Sequence, residues 1–114
     1  MRIHRVSPEE KERITELLAA ALAAEPDVVF AYLHGSFVKA EAFRDIDVAV
    51  FFDPLPERPW RREGGLADRL EATLRAAGFP FPVDVQALNR APPRFDPVGF
   101  SSAAMRIVDP TSKR

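Results

Sequence analysis

Leu33-His34-Gly35-Ser36-Phe37, followed after a short spacer by Arg44-Asp45-Ile46-Asp47-Val48-Ala49-Val50, is the stretch whose reading decides the fold. A Gly-Ser pair interrupts an apolar run, and the chain then resumes as a strand. In that strand Ile46, Val48, Val50 and Phe52 share one face, while Asp45, Asp47, Ala49 and Phe51 share the other, because side chains alternate. Asp45 and Asp47 therefore leave one face about 7 Å apart at the backbone. Two like charges so placed among Val, Ile and Phe repel each other and resist burial. A hard divalent cation relieves both penalties, since Mg²⁺ prefers carboxylate oxygens, water and phosphates.

Working outward, Val28 to Leu33 is a continuous apolar run of strand formers, expected to be covered on both faces. Ahead of it, Ser7-Pro8-Glu9-Glu10 combines an N-cap, a proline at the first helical position and a capping box. Ile14, Leu17, Leu18, Ala21 and Leu22 follow at helical spacing, so a helix is predicted over Pro8 to Ala24. Phe37 to Phe43 is short, with room for one or two helical turns. Asp53 to Gly65 carries three prolines and a Gly64-Gly65 pair and reads as a loop. Leu66, Leu70, Leu74 and Ala77 predict a helix closed by Gly78, with Glu71 and Arg75 as an exposed pair on it. A third strand is expected over Val83 to Leu88, and a last one over Met105 to Val108. Strands one and two are expected to run antiparallel across the Gly-Ser turn. The class is α/β, a small mixed β-sheet with helices packed mainly on one face.

The 114 residues are room for a single domain, 1–114. Hydrophobic residues make up 46% and charged residues 29%, which fits a packed core and excludes a disordered chain. A net charge of −1 gives no electrostatic basis for direct nucleic-acid binding. There is no cysteine, which removes thiolate catalysis, disulfides and cysteine zinc sites together. No apolar run approaches a membrane span, and the N-terminus does not open into an apolar signal core. The expected setting is cytoplasmic, with no membrane partner.

Asp84 begins the third strand and supplies a third carboxylate to the same face if that strand lies beside the second. Gly35-Ser36 follows a strand and precedes a helical stretch, a corner that can present backbone N–H groups and a hydroxyl to phosphate. Gly35 permits the tight turn and a close approach of the ligand. A phosphate cradle on one strand end and metal-holding carboxylates on the next suit nucleotidyl transfer. Taken singly, Gly-Ser is a commonplace turn, Asp-x-Asp a solvated edge-strand pair and Asp84 a surface residue; their order and placement give the combination its weight.

In that order and chemistry, Gly35, Ser36, Asp45, Asp47 and Asp84 resemble the signature of the minimal nucleotidyltransferase domain of the DNA-polymerase-beta-like superfamily. The resemblance runs from Val28 to Asp109, and Val85 to Pro92 is similar to the family's segment after its third carboxylate. It departs from the common pattern in lacking a second glycine, with Val38-Lys39-Ala40-Glu41 in that place, and in carrying Arg44 where a serine is frequent. The resemblance implies transfer of AMP from ATP with Mg²⁺. Asp45, Asp47 and Asp84 would hold metal, Asp84 would help deprotonate the acceptor hydroxyl, and Gly35 and Ser36 would hold the β- and γ-phosphates. It also implies an antitoxin paired with a HEPN-domain toxin and modifying a hydroxyl on it. An antitoxin that neutralises by binding alone is the alternative, kept open by Val38 to Arg44. A small-molecule modifier is the third reading, but no extra sequence for a second pocket wall is evident in the loop 53–65 or the tail after Asn89, so a protein acceptor is expected.

Lys39 and Arg44 have two readings, contact with the triphosphate or charge balance for the aspartates. Trp60-Arg61-Arg62 suits either base stacking, a partner contact or no function. His34 is expected to be packed or partly exposed, and the two histidines lack zinc-site spacing.

Overall fold

The computed structural model describes residues 2–90 and 104–110. The elements run β1 (His4–Arg5), α1 (Pro8–Ala23), β2 (Val28–His34), α2 (Ser36–Lys39), β3 (Ala42–Phe43), β4 (Ile46–Phe52), α3 (Pro59–Ala76), β5 (Val83–Ala87) and β6 (Met105–Val108). The main sheet has the order β5-β4-β2-β6, with β4 and β5 parallel and the other two pairs antiparallel. The fold is thus the expected mixed α/β sheet, with β2 and β4 antiparallel across the Gly-Ser turn.

One face of that sheet makes the core. Ile46, Val48, Val50 and Phe52 of β4 pack with Ala31 and Leu33 of β2 and Val83, Val85 and Ala87 of β5, under Ile14, Leu18 and Leu22 of α1 and Leu66, Leu70 and Leu74 of α3. Burial of these side chains is the main driving force for the two-layer arrangement. Ser7 caps α1 through the full capping box with Glu10, as its sequence requires. The double coverage expected for β2 is not found: Phe30, Tyr32 and His34 are only half-buried. The apolar run reflects an aromatic cluster on the opposite face, where Phe30 stacks on Phe51 at 4.9 Å and meets Tyr32 edge-on.

The stretch from Phe37 to Phe43 is not one helical piece. α2 ends at Lys39, and Ala42–Phe43 forms a strand with β1, an element that short local sequence does not announce. Phe43 is drawn inward by Phe37 at 4.9 Å, Phe81 at 5.2 Å and the His4 ring at 5.7 Å. That tertiary contact overrides the weak helical preference.

The expected loop 53–65 is also shorter than its composition suggests. α3 starts at Pro59 and runs straight through Gly64 and Gly65. Each glycine costs a helix about 1 kcal/mol relative to alanine, and polar anchoring offsets it. Arg62 donates to Asp27 at 2.9 and 2.7 Å and to Glu25 at 2.7 Å. The hydrogen bonds to Asp27 lead in holding the Arg62 pKa even higher than usual. Glu63, 3% exposed, accepts from the Ala87 N–H at 2.7 Å and from Arg90 at 2.7 Å.

Glu71 is likewise not simply an exposed partner of Arg75, since its carboxylate accepts from the Val83 N–H at 2.8 Å. Glu63 and Glu71 stand two turns apart on α3, about 12 Å along its axis. Val83 and Ala87 are about 13 Å apart along β5. The two spacings match, so one helix face supplies acceptors to the outer edge of β5.

Candidate functional site

The aspartates sit on the sheet face opposite the helices. Strand register fixes them: Asp47 of β4 stands opposite His34 of β2 on one side and opposite Asp84 of β5 on the other. His34, Asp47 and Asp84 therefore form a row across three adjacent strands, all half-buried. Asp45 lies just before β4, on the Asp47 side of the strand.

Gly35 occupies the corner between β2 and α2 with φ of 77°, a conformation that other residues rarely adopt. It has a second reason to be glycine. An added Cβ would stand 3.3 Å from Asp47 Cγ and nearer still to its Oδ2. The turn thus presses its backbone against the Asp47 carboxylate. Ser36 follows on the surface, and the Val38 and Lys39 N–H groups both close onto Gly35 O at 3.1 Å.

Asp47 has its pKa raised above the ordinary carboxylate range. Burial is the first cause and the Asp45 charge the second; Asp84 adds to the rise, while His34 and a hydrogen bond from Gln86 oppose it. Burial and like charge are the two penalties anticipated from sequence.

The structure brings Gly35, Asp45, Asp47 and Asp84 together. Ser36, Arg44 and Asp45 line one cleft of about 410 Å³ with Ile3, Ala42 and Phe43. Asp84 lines another of about 380 Å³ with Trp60, Gly64 and Arg90. Lys39 is exposed at the far end of α2, and no ion pair joins it to the aspartates among the described residues. Arg62 is committed to Glu25 and Asp27, a structural use. The end of the family-like segment, Ala91-Pro92, and the proline-rich tail up to residue 103 lie outside the described residues.

Gln86 escaped the sequence reading, and with it the link it makes to His34. Gln86, 5% exposed, meets His34 Nε2 through its Oε1 at 2.7 Å and donates from Nε2 to Asp84 Oδ2. The contact links residues far apart in sequence, so no local signal announces it; only Gln86's place two residues after Asp84, on the same strand face, hints at it.

The donor set fits a hard divalent ion. Among the described residues no three His, Asp or Glu side chains are gathered as a complete ligand cluster. Mg²⁺ does not require one, since it takes one or two carboxylates and completes its shell with water and phosphate oxygens.

The sheet order, the glycine corner and the aspartate row define a small nucleotidyltransferase domain. The chain belongs to the family described as "Polymerase beta, Nucleotidyltransferase", whose sequence model matches residues 16–98. No curated protein sequence matches the chain. Among solved structures, it is similar to a chain from the crystal structure of the toxin–antitoxin MntA–HpeT, in a variant with two aspartates replaced by glutamate. That match has a TM-score of 0.56 at 19% identity and covers 87% of this chain and 72% of the other. The likeness is one of fold. No helix among the described residues is long and apolar enough to cross a membrane.

Proposed function

We propose that this domain transfers AMP from ATP to a hydroxyl group of a partner protein, and that the partner is a HEPN-type toxin which the transfer silences. The observation that carries the reading is the register that sets Asp47 opposite Asp84 beside the Gly35 turn. Family membership supports nucleotidyl transfer in general. The MntA–HpeT likeness, a toxin–antitoxin assembly by its title, favours a toxin as acceptor.

In this reading Asp45, Asp47 and Asp84 would hold Mg²⁺, one or two carboxylates to an ion, and the metal would supply charge neutralisation at the α-phosphate and the pyrophosphate leaving group. Ser36 and the adjacent backbone N–H groups hold the β- and γ-phosphates. Gly35 lets them approach Asp47 without a side chain between. Asp84, half-buried at the β5 end of the row, takes the proton of the acceptor hydroxyl. Lys39 reaches the outer phosphates only if its exposed side chain folds back over α2. The acceptor is held near the α-phosphate by docking of the folded partner, because positioning can supply about 7–11 kcal/mol of a transfer barrier. The reading implies one functional domain working in the cytoplasm, where ATP is available.

Labelled ATP, Mg²⁺, the chain and a candidate toxin, followed by mass spectrometry, provide the test. AMP on a toxin side chain, absent with Asp47→Asn, is the expected result. Toxin that is inhibited but unlabelled, equally by Asp47→Asn, would establish inhibition by binding alone. Labelling of a small hydroxyl compound in place of the toxin would overturn the protein acceptor.

A further inference from the structure

Asp84 is not held by strand register alone. Gln86 lies two residues further along β5, on the same face, and its amide donates to Asp84 Oδ2. The other end of that amide meets His34 Nε2 at 2.7 Å. The hydrogen-bond inventory fixes the direction of the chain. An amide nitrogen only donates, and the NH₂ of Gln86 is the end that faces Asp84. Its carbonyl oxygen then faces His34, and a carbonyl cannot donate, so His34 Nε2 must carry a hydrogen. Gln86 is 5% exposed, which leaves its amide little freedom to turn over. No buried side-chain polar atom is left without a partner among the described residues, so the arrangement is satisfied as it stands.

We infer that His34 and Gln86 are positioning residues: His34 locks the Gln86 amide, and Gln86 aims the Asp84 carboxylate toward Asp47. The chain reaches across the whole site, because His34 is itself the register partner of Asp47. One imidazole on β2 thereby fixes a carboxylate two strands away. Hydrogen bonds of this kind orient metal-holding carboxylates, and their loss typically weakens metal affinity about 10–100-fold. The inference rests on the reading above that Asp84 holds a metal ion.

Two measurements test it. The first needs no metal. NMR of the ¹⁵N-labelled chain should find a slowly exchanging proton on His34 Nε2, and Gln86→Leu should release it to fast exchange. A wild-type His34 protonated on Nδ1 alone overturns the inference. The second is Mn²⁺ affinity by calorimetry or electron paramagnetic resonance. His34→Leu should weaken Mn²⁺ binding by about tenfold or more, while His34→Gln, whose Nε2 can donate from a similar place, should restore most of it. Wild-type affinity in His34→Leu, or equal loss in both variants, overturns the inference. Asp47→Asn separates the two readings. If Asp47→Asn abolishes Mn²⁺ binding and His34→Leu does not alter it, only the positioning role falls. If Asp47→Asn and Asp84→Asn bind Mn²⁺ as wild type does, the metal-holding reading of the site falls with it.

Discussion

The Asp47 carboxylate occupies the space that a side chain on Gly35 would need. Gly35 follows β2 and Asp47 lies in β4, and they meet because β2 and β4 pair so that His34, the neighbour of Gly35, stands opposite Asp47. A glycine turn and an acidic side chain are therefore one packed unit rather than two separate motifs.

Gly35→Ala should consequently fail on two counts. Its φ of 77° is strained for alanine, at a cost of about 1–3 kcal/mol, and the new methyl displaces Asp47. We expect a lower melting temperature together with loss of Mg²⁺-dependent ATP binding. Calorimetry that finds normal ATP affinity in a folded Gly35→Ala protein would show the turn to be independent of the carboxylate.

Asp47 gives a pH signature. Its folded pKa is raised, chiefly by burial. The fold therefore favours the protonated form, and the stability Asp47 contributes is fully present below its unfolded pKa. That stability is lost as pH rises through the folded value. In the absence of metal, Asp47→Asn should gain on wild type in melting temperature as pH rises through that window. Added Mg²⁺ should narrow the gap by stabilising only the wild type. A gap that is constant with pH would contradict the assigned burial effect.

Glu63 is a structural acid. Glu63→Ala leaves the Ala87 N–H and the Arg90 guanidinium without their acceptor, which should cost about 2–4 kcal/mol. Glu63→Gln keeps a carbonyl acceptor and should cost less. Denaturant titration of the pair decides the matter; equal stability of both variants with wild type would mean that the anchoring contributes nothing.

Gly65 is exposed in the middle of α3, and a Cβ there meets nothing within 4 Å. Gly65→Ala should therefore stabilise the protein by about 0.5–1 kcal/mol. A fall in melting temperature would indicate that this position contacts something besides solvent.

The comparison between sequence and structure turns on range. The alternation Ile46-Asp47-Val48 placed β4 and its two faces correctly, because a strand's period is a local property. Ser7 and Glu10 marked the start of α1 for the same reason. Pro59 to Gly65 misled, because local propensity there opposes the helix and distant partners, Glu25, Asp27, Ala87 and Arg90, impose it. β1 and β3 are too short to carry any pattern of their own. At the site, Gly35, Asp45, Asp47 and Asp84 were legible as residue types in order. The link from His34 through Gln86 was not, since it exists only once β2, β4 and β5 lie side by side.

The pair Glu63 and Glu71 sets a rule for assembly. An outer strand normally offers its amides to any extended peptide that comes alongside, the route to sheet-to-sheet joining and to strand-addition binding. Here Val83 and Ala87 already give theirs to carboxylates on α3. An incoming strand would have to dislodge two anionic acceptors and the helix that carries them. The β5 border is in effect already taken, and any partner protein or second copy of the chain is steered to dock through side chains elsewhere on the surface.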